Sequence, residues 1–144
     1  MTKILICVAA IGVMSFIHPF GDVKGKRSSE PLTGVHPLIE RACRNCHSER
    51  TEWPAYSYLP GVSWAIEKDV ADGRERMNLS HWELYSADDK RDLLARIATM
   101  VRNRRMPLPH YLLLHPEARL SDEEIQAIYE WTKERRRALR DPAK

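Results

Sequence analysis

The sequence contains no run of alternating apolar and polar residues, no internal repeat and no low-complexity tract. Without period-two patterning there is no candidate strand, and every fold that needs a strand-helix-strand unit is excluded. Charge of one sign is missing too. Lys and Arg number 23 against 20 Asp and Glu, a net charge of +3 that is too weak and too mixed to argue for nucleic acid. No apolar run reaches the roughly 20 residues that a free-standing transmembrane helix requires, since residues 4–17 form the longest one. It is followed by no clean small-x-small cleavage site, because Phe16, Ile17 and His18 succeed Ser15. Cysteine is scarce: Cys7 lies in the apolar run as a small apolar residue, leaving Cys43 and Cys46. A disulfide between these two would close a tiny loop and constrain little of the unfolded chain.

What is present organises the 144 residues into one domain with short appendages. Lys3 followed by the apolar run has the layout of an export signal, so residues 1–20 read as a signal peptide or a retained N-terminal membrane anchor. Residues 21–33, with Gly, Lys, Ser, Pro and Thr, read as a linker, and residues 34–140 as the folded domain. Helices are expected over 37–47 and 64–72, the second closed by Gly73, with an aromatic, proline-punctuated loop over 50–64. Ser86 caps a third helix, on which Leu93, Leu94, Ile97, Met100 and Val101 recur as one buried stripe. Ser121-Asp122-Glu123-Glu124 opens a fourth with a capping box, and Ile125, Ile128, Tyr129 and Thr132 form its inner face. The basic run Lys133-Glu134-Arg135-Arg136-Arg137 near its end suits the negative pole of the helix dipole; a docking patch for an acidic partner is the other reading. The fold class is all-α.

Cys43-Arg44-Asn45-Cys46-His47 has the spacing of a c-type haem attachment site. Two thiols three residues apart on a helical turn reach two vinyl groups on one porphyrin edge, and the next residue offers an imidazole to the iron. A redox Cys-x-x-Cys pair would need strands that this chain lacks. A zinc site from Cys43, Cys46, His110 and His115 would span a gap far longer than a zinc finger uses and leave His47 unexplained. For the sixth iron position Met106 is the leading candidate, because Pro107 ends the preceding helix near Arg105 and Pro109 stiffens the loop. Met77, one of His81, His110 and His115, or an open site are the alternatives; Met100 is read as core. Arg102, Arg104 and Arg105 are candidates for pairing with haem propionates, and Trp53, Tyr56, Trp64, Trp82 and Tyr111 for lining the pocket.

These residues, with Thr51-Glu52-Trp53-Pro54, Pro60-Gly61-Val62-Ser63-Trp64, Asp69-Val70-Ala71-Asp72-Gly73-Arg74, Asn78-Leu79-Ser80-His81-Trp82 and Met106-Pro107-Leu108-Pro109-His110-Tyr111, make the stretch 35–137 resemble the bacterial haem-binding domain family. Its members are small proteins similar to class I cytochromes c. The resemblance implies a cytochrome c-like bundle of about four helices with long loops around one covalent haem c. It implies attachment at Cys43 and Cys46, iron ligation by His47 and Met106, and a place in the cell envelope, periplasmic or anchored to the inner membrane. The expected role is one-electron transfer between envelope redox proteins, without catalysis on a bound substrate and without nucleic acid. A ligand-binding, sensor or peroxidase-like haem protein with an open sixth position is the alternative.

Overall fold

The computed structural model describes residues 19–25, 28 and 31–140, and every regular element among them is helical. Five α-helices follow one another: α1 (Pro37–His47), α2 (Val62–Arg76), α3 (Ala87–Arg102), the single turn α4 (Tyr111–Leu114) and α5 (Asp122–Arg140). Three 3-10 turns, Ala55–Tyr58, Leu79–Leu84 and Pro116–Ala118, stiffen the long connections. The all-α expectation holds, as four long helices and one short one.

Each helix start has a local cause. His36 caps α1, its Nδ1 accepting the Leu38 N–H at 3.2 Å, and Pro37 at the first position sacrifices no hydrogen bond. Ser86 Oγ accepts the Asp89 N–H at 3.1 Å at the head of α3. At α5 the expected capping box forms in both directions: Ser121 Oγ accepts from Glu124 N–H at 3.2 Å, and Glu124 Oε2 from Ser121 N–H at 3.0 Å. Leu94, Ile97 and Val101 of α3 pack with Ile128 of α5, Ile39 of α1 and the loop residues Leu79, Trp82 and Leu120 in one core. That pairing leaves α1 free to lie along α2.

Three expectations change. The second helix runs Val62–Arg76, so Gly73 stands inside it rather than at its end. A methyl group at Gly73 would come 2.4 Å from the carbonyl oxygen of Cys46, so glycine is there because two helix backbones touch. Helix α3 ends at Arg102 rather than near Arg105, because Asn103 caps it and Arg104 turns left-handed at φ 52°. Met100 is 36% exposed, outside the buried stripe of Leu94, Ile97 and Val101, and lines a cavity together with Ile97 and Val101.

Within the stretch 21–33, Val23 is buried and Leu32 joins the core. Arg74 Nη1 donates to the Val23 carbonyl at 2.8 Å, and Lys24 Nζ lies 3.0 Å from Glu67 Oε1, whose side chain is fully buried. Of the expected export segment, residues 1–18 lie outside the described residues. No helix among the described residues is long and apolar enough to cross a membrane.

Candidate functional site

The last turn of α1 carries Cys43, Cys46 and His47, and the contact of α2 at Gly73 fixes where that turn points. Cys43 and Cys46 are free thiols three residues apart, hence neighbours on one helix face. Together with His47, Met106 and Tyr111 they line a cavity of about 290 Å³. A second chamber of about 150 Å³ shares Cys43, His47, Arg76 and Met106 with it and is walled by α3. Pockets that hold small molecules run from roughly 300 Å³ upward, so the two chambers together reach that range.

Electrostatics prepare each donor. His47 Nδ1 stands 3.2 Å from the Met77 carbonyl oxygen. A carbonyl only accepts, so Nδ1 carries the proton and Nε2 keeps its lone pair for a metal. Burial holds the His47 pKa below the ordinary imidazole value, against the pull of the Met77 and Gly73 carbonyls, so the ring stays neutral at pH 7. Burial, with Cys46 as neighbour, pushes the Cys43 thiol up to about 12, and burial with Asp69 nearby pushes Cys46 up to about 11. Thiols that resist ionisation are poor nucleophiles and a poor redox pair, and no strand lies among the described residues to give them a thioredoxin-like setting.

Met106 follows α3 on a turn in which both its N–H and that of Arg105 donate to the Met100 carbonyl, at 3.3 and 2.9 Å. The half-buried Met106 lines both chambers, and Met77 and Met100 line the smaller one. The histidines do not join them. His81 lies 3.4 Å from Glu49, His110 is bonded to Asp69 at 2.8 Å, and His115 bridges Tyr56 at 2.6 Å and Glu117 at 2.8 Å. No group of three or more His, Cys, Asp or Glu among the described residues could hold a metal ion, which removes the zinc reading.

Two of the three arginines expected at the cavity are engaged elsewhere, Arg102 over the Tyr129 ring at 4.5 Å and Arg104 with Asp122, and the third, Arg105, lines neither chamber. Two that the sequence did not single out, Arg76 at the end of α2 and Arg96 on α3, line the smaller chamber instead. A signal existed in hindsight: Arg96 lies one turn before Met100 on the same helix face. Of the aromatic candidates only Tyr111 lines the main cavity; its hydroxyl accepts from Asn45 Nδ2 at 2.9 Å and its ring stacks on His115 at 4.2 Å. Trp82 belongs to the core, and Lys24 lies 5.3 Å from the centre of the Trp53 ring.

The donor set suits a haem: paired thiols on one helical turn, a neutral imidazole with a free Nε2, a thioether from another element, and arginines for the propionates. Comparison with known proteins agrees on the cofactor. Residues 9–134 match the haem-binding domain family. Over 118 residues the chain is 30% identical to a cytochrome c peroxidase of Escherichia coli strain K12, a match that takes in 80% of this chain. The chain spans 25% of that relative's length. No solved structure matches.

Proposed function

The chain belongs to the haem-binding domain family, and from that premise we propose that it is an exported mono-haem c-type cytochrome carrying single electrons between redox proteins of the cell envelope. The observation that carries this reading is the convergence of Cys43, Cys46, His47 and Met106 on one cavity. In it, Cys43 and Cys46 would hold a haem through thioether bonds, and His47 Nε2 and the Met106 sulfur would be the iron's two protein ligands. Bound there, haem iron supplies a one-electron couple between its ferric and ferrous states.

The chain's own residues hold and tune. The Met77 carbonyl fixes the His47 tautomer, and α2, pressed against Cys46 at Gly73, fixes the attachment turn. Arg76 and Arg96, which line the smaller chamber, would pair with haem propionates and favour the less positive ferrous form. Leu93, Ile97 and Val101 of α3 give the smaller chamber an apolar wall. Residues 1–20 deliver the domain to the envelope, as a cleaved leader or as an anchor.

A peroxidase is the second reading, motivated by the E. coli relative's name. Peroxide chemistry wants an acid-base group over an open iron face. His81 lines neither chamber, and His110 and His115, which border an adjoining cavity with Cys46 and Tyr111, are engaged by Asp69 and by Tyr56 and Glu117, so this chain's geometry favours the carrier. The test is the absorption spectrum of the protein matured with haem, oxidised and reduced, with and without carbon monoxide. A low-spin ferric form with sulfur-to-iron absorption and no carbon monoxide binding supports the carrier. A high-spin ferric form that binds carbon monoxide readily on reduction overturns it in favour of the second reading.

A further inference from the structure

The smaller chamber holds more sulfur than a single axial ligand requires: Met77, Met100 and Met106 all line it. Their placements differ. Met77 is 7% exposed, belongs to the core, and its carbonyl meets His47 at Nδ1. Its backbone therefore stands at the Nδ1 edge of the imidazole and supports the proximal ligand. Met100 stands with Met106. The Met100 carbonyl accepts the N–H groups of both Arg105 and Met106, so the two methionine backbones are one hydrogen bond apart.

Met100 is also out of place as a core residue. Its helical neighbours Ile97 and Val101 are 8% and 3% exposed, whereas Met100 is 36% exposed, although α3 continues through Arg102. Its exposure is therefore not that of a frayed end. On α3, Leu93, Arg96, Ile97 and Met100 follow at helical spacing along the chamber wall, and Met100 is the one among them with a donor atom for soft iron chemistry. A methionine has three rotatable bonds, so its sulfur can be repositioned within the chamber by side-chain rotation.

We infer that Met100 is a reserve axial ligand, taking the iron's sixth position whenever Met106 leaves it. The inference rests on the proposed Met106 ligation and extends it. In the exchange the iron–sulfur bond to Met106 breaks and one to Met100 forms, with no change of oxidation state and no proton moved. Its consequence is a site that stays six-coordinate, closed to peroxide and carbon monoxide, even when the resident ligand is displaced.

The experiment compares the haem-loaded wild type with Met106→Leu, Met100→Leu and the double variant, Leu being close to Met in volume. Met106→Ala replaces Met106→Leu if the leucine variant does not retain haem. The readouts are the ferric sulfur-to-iron band and carbon monoxide binding by the reduced protein. The inference expects Met100→Leu to match the wild type and Met106→Leu to keep a sulfur-to-iron band, altered in position or strength. The double variant then loses the band and binds carbon monoxide at least tenfold more tightly than Met106→Leu. A single Met106 variant indistinguishable from the double variant overturns the reserve role while leaving Met106 as the ligand. Loss of the band in Met100→Leu alone overturns it differently, making Met100 the resident ligand and refuting the Met106 assignment. A wild type without the band overturns the assignment and the inference together.

Discussion

His47 is held by its Nδ1–H, directed at the Met77 carbonyl, and by burial that disfavours its cation. The sign of the pH dependence follows. A folded pKa below the unfolded value, 6.5, keeps the ring neutral as pH falls through 6.5, so protonation competes with iron only at lower pH. An NMR titration of the haem-free protein is expected to find the His47 ring still mostly neutral at pH 6.5; a mostly protonated ring there contradicts the burial argument. Arg76 and Arg96 act on potential rather than ligation. Removing one, as Arg76→Gln or Arg96→Gln, costs the ferrous form roughly 0.2–1 kcal/mol of interaction at such a surface-linked site. For one electron that is a fall of about 10–40 mV, larger at low salt, read in a spectroelectrochemical titration. The proposed attachment residues are adjacent in the sequence because the covalent chemistry they would serve demands adjacency along the chain. Arg76, Arg96 and the exposure of Met100 are not legible there, because helical period places a side chain on a face without saying whether core or cavity lies opposite.

At the scale of elements, the contact between α1 and α2 matters most for the site. Gly73→Ala inserts a methyl 2.4 Å from the Cys46 carbonyl oxygen, a backbone atom that cannot swing away. The helices must separate, at a cost of about 1–3 kcal/mol for overpacking, and the attachment turn moves with them. A lowered Tm with incomplete haem attachment is expected; an unchanged Tm would show that the two backbones are not in contact. Ser121→Ala, which breaks the α5 capping box, is expected to cost about 1 kcal/mol and leave the haem spectrum as it was. The caps at Ser86 and Ser121 were readable because their partners are three residues away. Gly73 was misread because a glycine that ends a helix and one that admits a neighbouring helix look alike in sequence; only the partner backbone tells them apart.

Across the whole molecule, residues 19–25 are bound into the domain rather than merely preceding it. Lys24 lies 4.4 Å from the centre of the Tyr58 ring and 3.0 Å from the fully buried Glu67 carboxylate, while Arg74 grips the Val23 carbonyl. Lys24→Met leaves the Glu67 charge buried without this ion pair, and breaking such a pair costs about 3–5 kcal/mol. The prediction is a marked fall in Tm that Lys24→Met with Glu67→Gln largely restores; a fall in the double variant as large as in the single contradicts it. Composition could not reveal this docking, since one buried valine and one lysine in a polar stretch carry no periodicity. If residues 1–20 act as an anchor, this docking holds the haem domain close to its membrane attachment. The measurement that tests the central claim most directly is the mass of the denatured, haem-matured protein together with that of Cys43→Ala/Cys46→Ala. The account predicts one haem retained through denaturation in the wild type and none in the double variant. A wild-type chain that emerges from denaturation without haem contradicts it.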